Sequence, residues 1–563
     1  SKSKTLKKKV ILSNYPYILY YIPFMIYLLL FWPIYTQTDI VIDLGFKSFP
    51  ISESSPEIWN ILKLFSFVLA FLSNLVFSVQ FSSYFPKKDS QSPSLFNSET
   101  NHMNSISHFL IGTNMQNKLS EKSLYQNMLI TGTIGTGKTS SAMYPFTKQL
   151  LASPQKLSML ILDVKGNYYK QVLAFAQEAN RLDDIVVLEV GGFYKYNPLN
   201  KPRLSASVLA NRLKTILLLF SEENGESYWL DKAENILCEC IKLCRIYNNG
   251  YVNFEEIHKL VTIPDYYLEK FSIFRNLLQT NRLSYEESYN LLTAIQFFQN
   301  EYSLLDDRTI SILKSEVTRI TSAFLSDYRI RETFSPPREE ENLNSMLDLM
   351  QSGKILVLNM NLAEYQNLSK IIAAYLKMDF QTDVMLRLTN PSLLKPVVFI
   401  SDEYHEYATV SDASFFAQSR EAKCINIVAT QSYTSLIHSL KSESAAKVIL
   451  QSLTNKLWFR NDDITTVESA QKQIGQEEKE KTSKSISENA KQTSFSRISN
   501  VLISRDATIS ESFNTYTQKD FIFDTNFFTQ KLENFSCVAF LSDGEKILPP
   551  SKLKMLPYFL KGS

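Results

Sequence analysis

The chain has 563 residues, enough for about three or four packing units. Its 59 Lys and Arg face 57 Asp and Glu, a formal net charge of +2, so global charge gives no case for nucleic-acid binding. The five cysteines form no disulfide-like framework, which fits a reducing compartment. Cys238, Cys240 and Cys244 lack a nearby His or a second Cys pair at zinc spacing, and free thiols on the core face of a helix are the favoured reading.

From Tyr15 to Tyr35 the sequence reads YPYILYYIPFMIYLLLFWPIY, without a charge and long enough to cross a hydrocarbon core of roughly 30 Å. Its flanking Tyr and Trp suit membrane interfaces, and Pro23 and Pro33 are tolerable in a membrane helix. A cleaved signal peptide is disfavoured because no small-residue cleavage site follows. A second apolar run, Ile58 to Phe81, carries Lys63 as its single charge. Lys2, Lys4, Lys7, Lys8 and Lys9 precede the first run, Lys87 and Lys88 follow the second, and the loop between them is mainly acidic. The positive-inside rule then predicts a two-helix membrane anchor over 1–88, with spans at about 15–35 and 58–81 and both chain ends cytoplasmic.

After a polar linker, 89–107, comes NMLITGTIGTGKTS: an apolar strand, a full G-x-x-x-x-G-K-[ST] Walker A loop and a helix start. Gly132, Thr133, Gly135, Thr136, Gly137, Lys138, Thr139 and Ser140 are the expected nucleotide-binding residues. The glycines let successive N–H groups face phosphates, Lys138 reaches the outer ones, and Thr139 ligates Mg2+. The segment KPVVFISDEYHE supplies a Walker B strand, expected to lie beside the first. There Asp402 holds the magnesium ion and Glu403 polarises the attacking water. The lack of an Asn-Lys-x-Asp element favours ATP over GTP. A helix from Ser411 to Lys423 carries Arg420, either a finger for a neighbouring subunit's nucleotide or a solvated side chain. The strand after it ends at Gln431, either a γ-phosphate sensor or a strand cap.

Between Ser221 and Asn344 glycine is nearly absent and apolar residues recur at three and four spacing, as in Ile236, Leu237, Cys240, Ile241 and Cys244. This predicts an all-helical insertion over 221–344. It divides an α/β motor into 108–220 and 345–563, built as a mainly parallel sheet covered on both faces. From Gln473 to Ser512 the mixed charge predicts a solvated excursion, such as an extended hairpin beside the motor, over a DNA-contacting loop.

Taken in order, these elements resemble the coupling proteins of type IV secretion and conjugation systems, the TraG/TraD family, hexameric relatives of FtsK-type DNA translocases. The two-helix anchor, Asp163-Val-Lys165-Gly166, Asn197-Pro198-Leu199, Gln431-Ser432 and the ending around Pro549-Pro550 and Leu556-Pro557-Tyr558-Phe559 carry the resemblance beyond the nucleotide motifs. Thr133 and Ile134 depart from the family's usual loop residues. The resemblance implies a RecA-like fold and a homo-hexameric, membrane-anchored ATPase. It further implies relaxase or relaxosome, single-stranded DNA and secretion-channel subunits as partners, and it places Arg420 at the family's trans-acting arginine. The alternatives are an FtsK-like double-stranded DNA translocase and an ATP-switched membrane docking receptor without sustained turnover.

Overall fold

The computed structural model describes residues 41–43, 48–50, 60–61, 64–65, 68, 109–111, 117–220, 227–488, 493–495, 502–504 and 509–560. The chain divides into two compact units, Ser1–His102 and Met103–Ser563. In the first, Val41–Asp43 pairs antiparallel with Ser48–Pro50. Asn60, Ile61, Leu64, Phe65 and Val68 are helical and exposed. The expected span 15–35, and most of 58–81, lie outside the described residues. Among the described residues no helix is long and apolar enough to cross a membrane.

The second unit is organised around one nine-stranded sheet. Its strands are β1 (Met128–Thr131), β2 (Ser158–Leu162), β3 (Ile185–Leu188), β4 (Ile355–Leu358), β5 (Val397–Ser401), β6 (Cys424–Thr430), β7 (Asn455–Phe459), β8 (Ser536–Phe540) and β9 (Ser551–Lys554). Their spatial order is β9-β8-β7-β1-β6-β5-β2-β4-β3. The strands from β7 to β3 run parallel, while β8 and β9 are antiparallel additions at one edge. Parallel strands joined by helical crossovers are covered on both faces and read as continuous apolar runs. Accordingly β1, β2, β4, β5 and β6 are buried at every position. Side chains alternate between two cores: Met128, Ile130, Ile161, Val357 and Ile400 pack with Phe146 and Leu150 on one face. Leu129, Leu160, Leu358, Val397 and Phe399 pack on the other face with the helical segment.

One expectation is corrected here. The acidic strand β5 does not adjoin the P-loop strand β1. The chain leaves β5, crosses through the helix Asp412–Gln418, and returns as β6 between the two, pairing with both. Arg420 likewise falls in the turn after that helix, whose last residue is Gln418.

Helices Ser227–Tyr247, Phe254–Thr262, Tyr285–Asn300 and Asp307–Leu325 fill the stretch between β3 and β4. Asn253, Ser284 and Asp306 cap three of them by accepting backbone N–H bonds. Phe254 stacks on Phe324 at 3.8 Å, and both rings meet Tyr375. Tyr375 belongs to Asn367–Leu386, so the inserted helices share a core with the motor. Past β7, Gln476–Glu488 pairs antiparallel with Ile509–Phe521 along its full length as a long hairpin, in the segment where the sequence predicts a solvated excursion.

Candidate nucleotide site

The loop after β1 turns sharply because Gly135 and Gly137 sit at φ values of 80° and 94°, which side chains other than glycine rarely adopt. A Cβ at Gly137 would also overlap the ring of Phe535, whereas one at Gly135 would meet nothing within 4 Å. The loop is therefore packed on one side and open on the other. Thr136 Oγ1 donates to Thr133 O at 2.8 Å, and Thr133 N donates to Arg460 O at 3.0 Å at the end of β7. Lys138 is buried and donates from Nζ to Gly132 O at 2.6 Å. Burial pulls its pKa below the ordinary value, against the opposing charges of Glu403 and Asp402. Ser140 Oγ donates to Gly137 O at 3.4 Å. The following helix opens with a wide π turn, Thr139–Met143, before the α-helix Tyr144–Leu151. Pro145 crowds the preceding turn and lacks an N–H, which accounts for the widening.

Thr139 Oγ1 donates to Asp402 Oδ2 at 2.9 Å, joining the P-loop to the end of β5 across the tip of β6. Asp402 is buried beside two other carboxylates. Desolvation, then the charges of Asp163 and Glu403, push its pKa up to about 6. Asp163 follows β2 directly and accepts N–H bonds from Lys165, Asn167 and Tyr168. Glu403 has a left-handed backbone, φ 49°, an uncommon conformation for a non-glycine residue that often marks a functional turn. Its carboxylate is paired with Lys165 Nζ and accepts from Gln431 Nε2 at 3.2 Å. Burial raises its pKa, but the Lys165 bond and the charges of Lys138 and Lys165 outweigh that and hold it below the ordinary value. His405 Nδ1 lies 3.7 Å from Glu403, and burial lowers its pKa. A cleft of about 520 Å³ opens between the loop and the β6 tip, lined by Thr133, Ile134, Gln431, Ser432, Asn461 and Asp463.

The structure thus brings Lys138, Thr139, Asp402, Glu403 and Gln431 to one end of the sheet. Arg420 is not among them. It is exposed in the turn before β6, and the seven residues of β6 alone put about 23 Å between Cys424 at the strand start and Gln431 just past its end. Three participants were not assigned a role from sequence. Asp163 and Lys165 belong to a motif noted only for its family likeness, and its position after an apolar strand is the signal that marks it. Phe535 had no signal, because it reaches the loop from a remote stretch of chain. The donor set suits a magnesium-bound nucleoside triphosphate: a buried carboxylate against a hydroxyl, a loop open at Gly135, and an ammonium held by the loop's own carbonyl. Cys240 and Cys244 are buried in the helical core, and among the described residues no group of three or more His, Cys, Asp or Glu side chains forms a metal-binding cluster.

Residues 396–511 match the family model described as the TraM recognition site of TraD and TraG. The match covers β5, β6, β7 and the first strand of the hairpin. No curated protein sequence matches the chain. Among solved structures, the bacterial conjugative coupling protein TrwBdeltaN70, in its unbound monoclinic form, has a similar fold. Its TM-score is 0.54 at 12% identity, over 81% of this chain and 89% of that one. Plasmid coupling protein TrwB in complex with ADP and Mg2+ gives 0.53 at 13% identity, over 79% and 88%. TrwB with a non-hydrolysable ATP analogue gives 0.51 at 13%, over 77% and 86%. At this identity the likeness to TrwB is one of fold. The resemblance to the TraG/TraD proteins thus holds in sequence over 396–511 and in fold over most of the chain.

Proposed function

We propose that this chain, of the TraG/TraD kind by its central sequence and by its fold, is the membrane-anchored ATPase that couples cytoplasmic substrate to a conjugation or type IV secretion channel. The observation that carries the reading is the 2.9 Å bond between Thr139 and Asp402, with Glu403 next in the chain. In this reading residues 132–140 cradle the phosphates, Lys138 releases the Gly132 carbonyl to meet the outer ones, and Thr139 and Asp402 hold Mg2+. The ion, when bound, neutralises phosphate charge. Glu403 orients and polarises the attacking water, Gln431 reports on the γ-phosphate, and Arg420 serves the site of the next subunit in a homo-hexamer.

The match over 396–511 supports a relaxosome component as a partner, alongside relaxase-bound single-stranded DNA and channel subunits. DNA passing through such a ring would be held mainly at its phosphates, with little base selectivity. For the anchor, Ile61, Leu64, Phe65 and Val68 are exposed at helical spacing, which supports an apolar, lipid-facing helix face; the reading sets it in the cytoplasmic membrane with both chain ends inside. Extraction of the chain from membranes by carbonate would overturn that part.

The test of the motor is ATP turnover by the detergent-solubilised chain, with and without single-stranded DNA. Lys138→Ala is expected to lose nucleotide binding. Glu403→Gln should keep binding and lose turnover by about 10²–10⁴-fold. Unchanged turnover in both variants would remove the site, and nucleotide binding without turnover in the unaltered protein would favour a switched docking receptor.

A further inference from the structure

The reading above accounts for the phosphate end of a nucleotide but leaves its base without a place. The polarity of the site decides on which side the base must lie. In a P-loop the backbone at the helix start holds the inner phosphates, and the Lys and the metal hold the outer ones. The groups for the outer phosphates, Asp402, Glu403 and Gln431, all stand on the β6 and β5 side of β1. The base therefore leaves on the opposite side, toward β7, β8 and β9.

On that side the chain has built an aromatic wall onto the loop itself. Phe535, just before β8, donates from its backbone N–H to Thr136 O at 3.0 Å and accepts from Met555 N at 2.7 Å. Its φ is 62°, a left-handed conformation costly for an aromatic residue and kept only where the surroundings enforce it. The result is a ring pressed against Gly137. After β9 the chain crosses back over the start of the P-loop helix, where Tyr558 N donates to Ser140 O at 2.9 Å. Tyr558 packs edge-on against Tyr144 at 5.1 Å. Phe559 then lies with its ring centroid 6.2 Å from Phe535 and 5.5 Å from Tyr558, yet is 58% exposed. Three backbone bonds, a left-handed residue and three ring contacts thus hold an exposed phenyl ring beside the loop, on the side away from the carboxylates.

We propose that Phe535 and Phe559 form the base-binding subsite, with the exposed Phe559 ring stacking on the purine of the nucleotide whose phosphates residues 132–140 bind. The inference rests on the phosphate-site reading, and its test separates the two. Affinities of the full solubilised chain are measured for ATP and for inorganic tripolyphosphate, which has the phosphates and no base. Phe559→Ala should weaken ATP binding by about tenfold, the scale of losing one stacked base, and leave tripolyphosphate unchanged. Phe559→Trp should restore ATP. An unchanged ATP affinity in Phe559→Ala overturns the proposal, as does an equal loss of both ligands, which would mark a purely structural role at the loop. Lys138→Ala reports on the phosphate site independently, because it should weaken both ligands together. If it weakens neither, the phosphate reading fails, while a loss of ATP alone in Phe559→Ala still identifies the base site.

Discussion

Folding takes the Asp402 carboxyl out of water and sets it near Asp163 and Glu403, so its pKa moves from 3.8 to about 6. The folded chain then binds this proton more tightly than the unfolded chain does. The resulting contribution to stability is complete below about pH 3.8 and is lost as pH rises through about 6. Above that, the ionised group costs about 3 kcal/mol, two pKa units at 1.36 kcal/mol each. A bound metal ion would reverse the sign of this term, because it favours the charged form. Asp402→Asn is therefore expected to stabilise the ligand-free protein at pH 7.5 by up to about 3 kcal/mol, to gain progressively less as pH falls toward 4.5, and to lose magnesium-dependent turnover. Urea unfolding at several pH values in the presence of a chelator measures the first two effects. A midpoint unmoved at every pH would contradict the crowding of the three carboxylates.

The elements that carry such residues were unequally legible in the sequence. Strand, loop and helix at 128–151 are contiguous, and each local signal agrees with the next, so the P-loop could be read directly. The inserted helices betray themselves by apolar spacing and by the loss of glycine, and the hairpin by its mixed charge. Strand order is a different matter: nothing local tells β6 to enter between β1 and β5, since that is decided by which crossover packs. The same limit hid Asp163, Lys165 and Phe535, whose partners are remote in the chain. It also hid Lys377, which sits in a mostly buried helix, Asn367–Leu386, and is itself fully buried against Asp412. Its Nζ donates to Asp412 Oδ2 at 2.6 Å and to Tyr407 O at 2.7 Å, while Tyr404 OH donates to the same carboxylate at 2.6 Å. This network ties the turn after Glu403 to the helix Asp412–Gln418 that leads to Arg420. Removing one ion of such a pair strands the other, so Lys377→Met should cost about 3–5 kcal/mol in denaturant unfolding. Adding Asp412→Asn should recover part of that, since the amide oxygen still accepts from Tyr404. Equal losses in the single and double variants would show that the charge pairing contributes nothing.

At the scale of the whole molecule, the position of Arg420 decides what kind of machine the site can serve. Arg420 sits in the turn before β6, and Gln431 follows the strand's other end about 23 Å from its start, while the buried Lys377–Asp412 pair fixes the helix that precedes Arg420. Arg420 therefore cannot swing into the nucleotide site of its own chain. If Arg420 acts on a nucleotide, it does so from a neighbouring copy in a head-to-tail contact, which makes a ring where the rotation closes. Arg420→Ala is then expected to leave nucleotide affinity of the isolated chain unchanged and to lower turnover of the assembly by about 10³-fold or more. Mixing supplies the decisive measurement. A Lys138→Ala copy has no working phosphate site but keeps Arg420, while an Arg420→Ala copy has a working site and lacks the finger. Each is expected to be inactive alone. In mixed assemblies, interfaces that join the intact site of one to the intact arginine of the other should recover turnover in proportion to their number. Recovery would place Arg420 in the neighbour's site, whereas a mixture as inactive as its components would assign it to the surface of its own subunit.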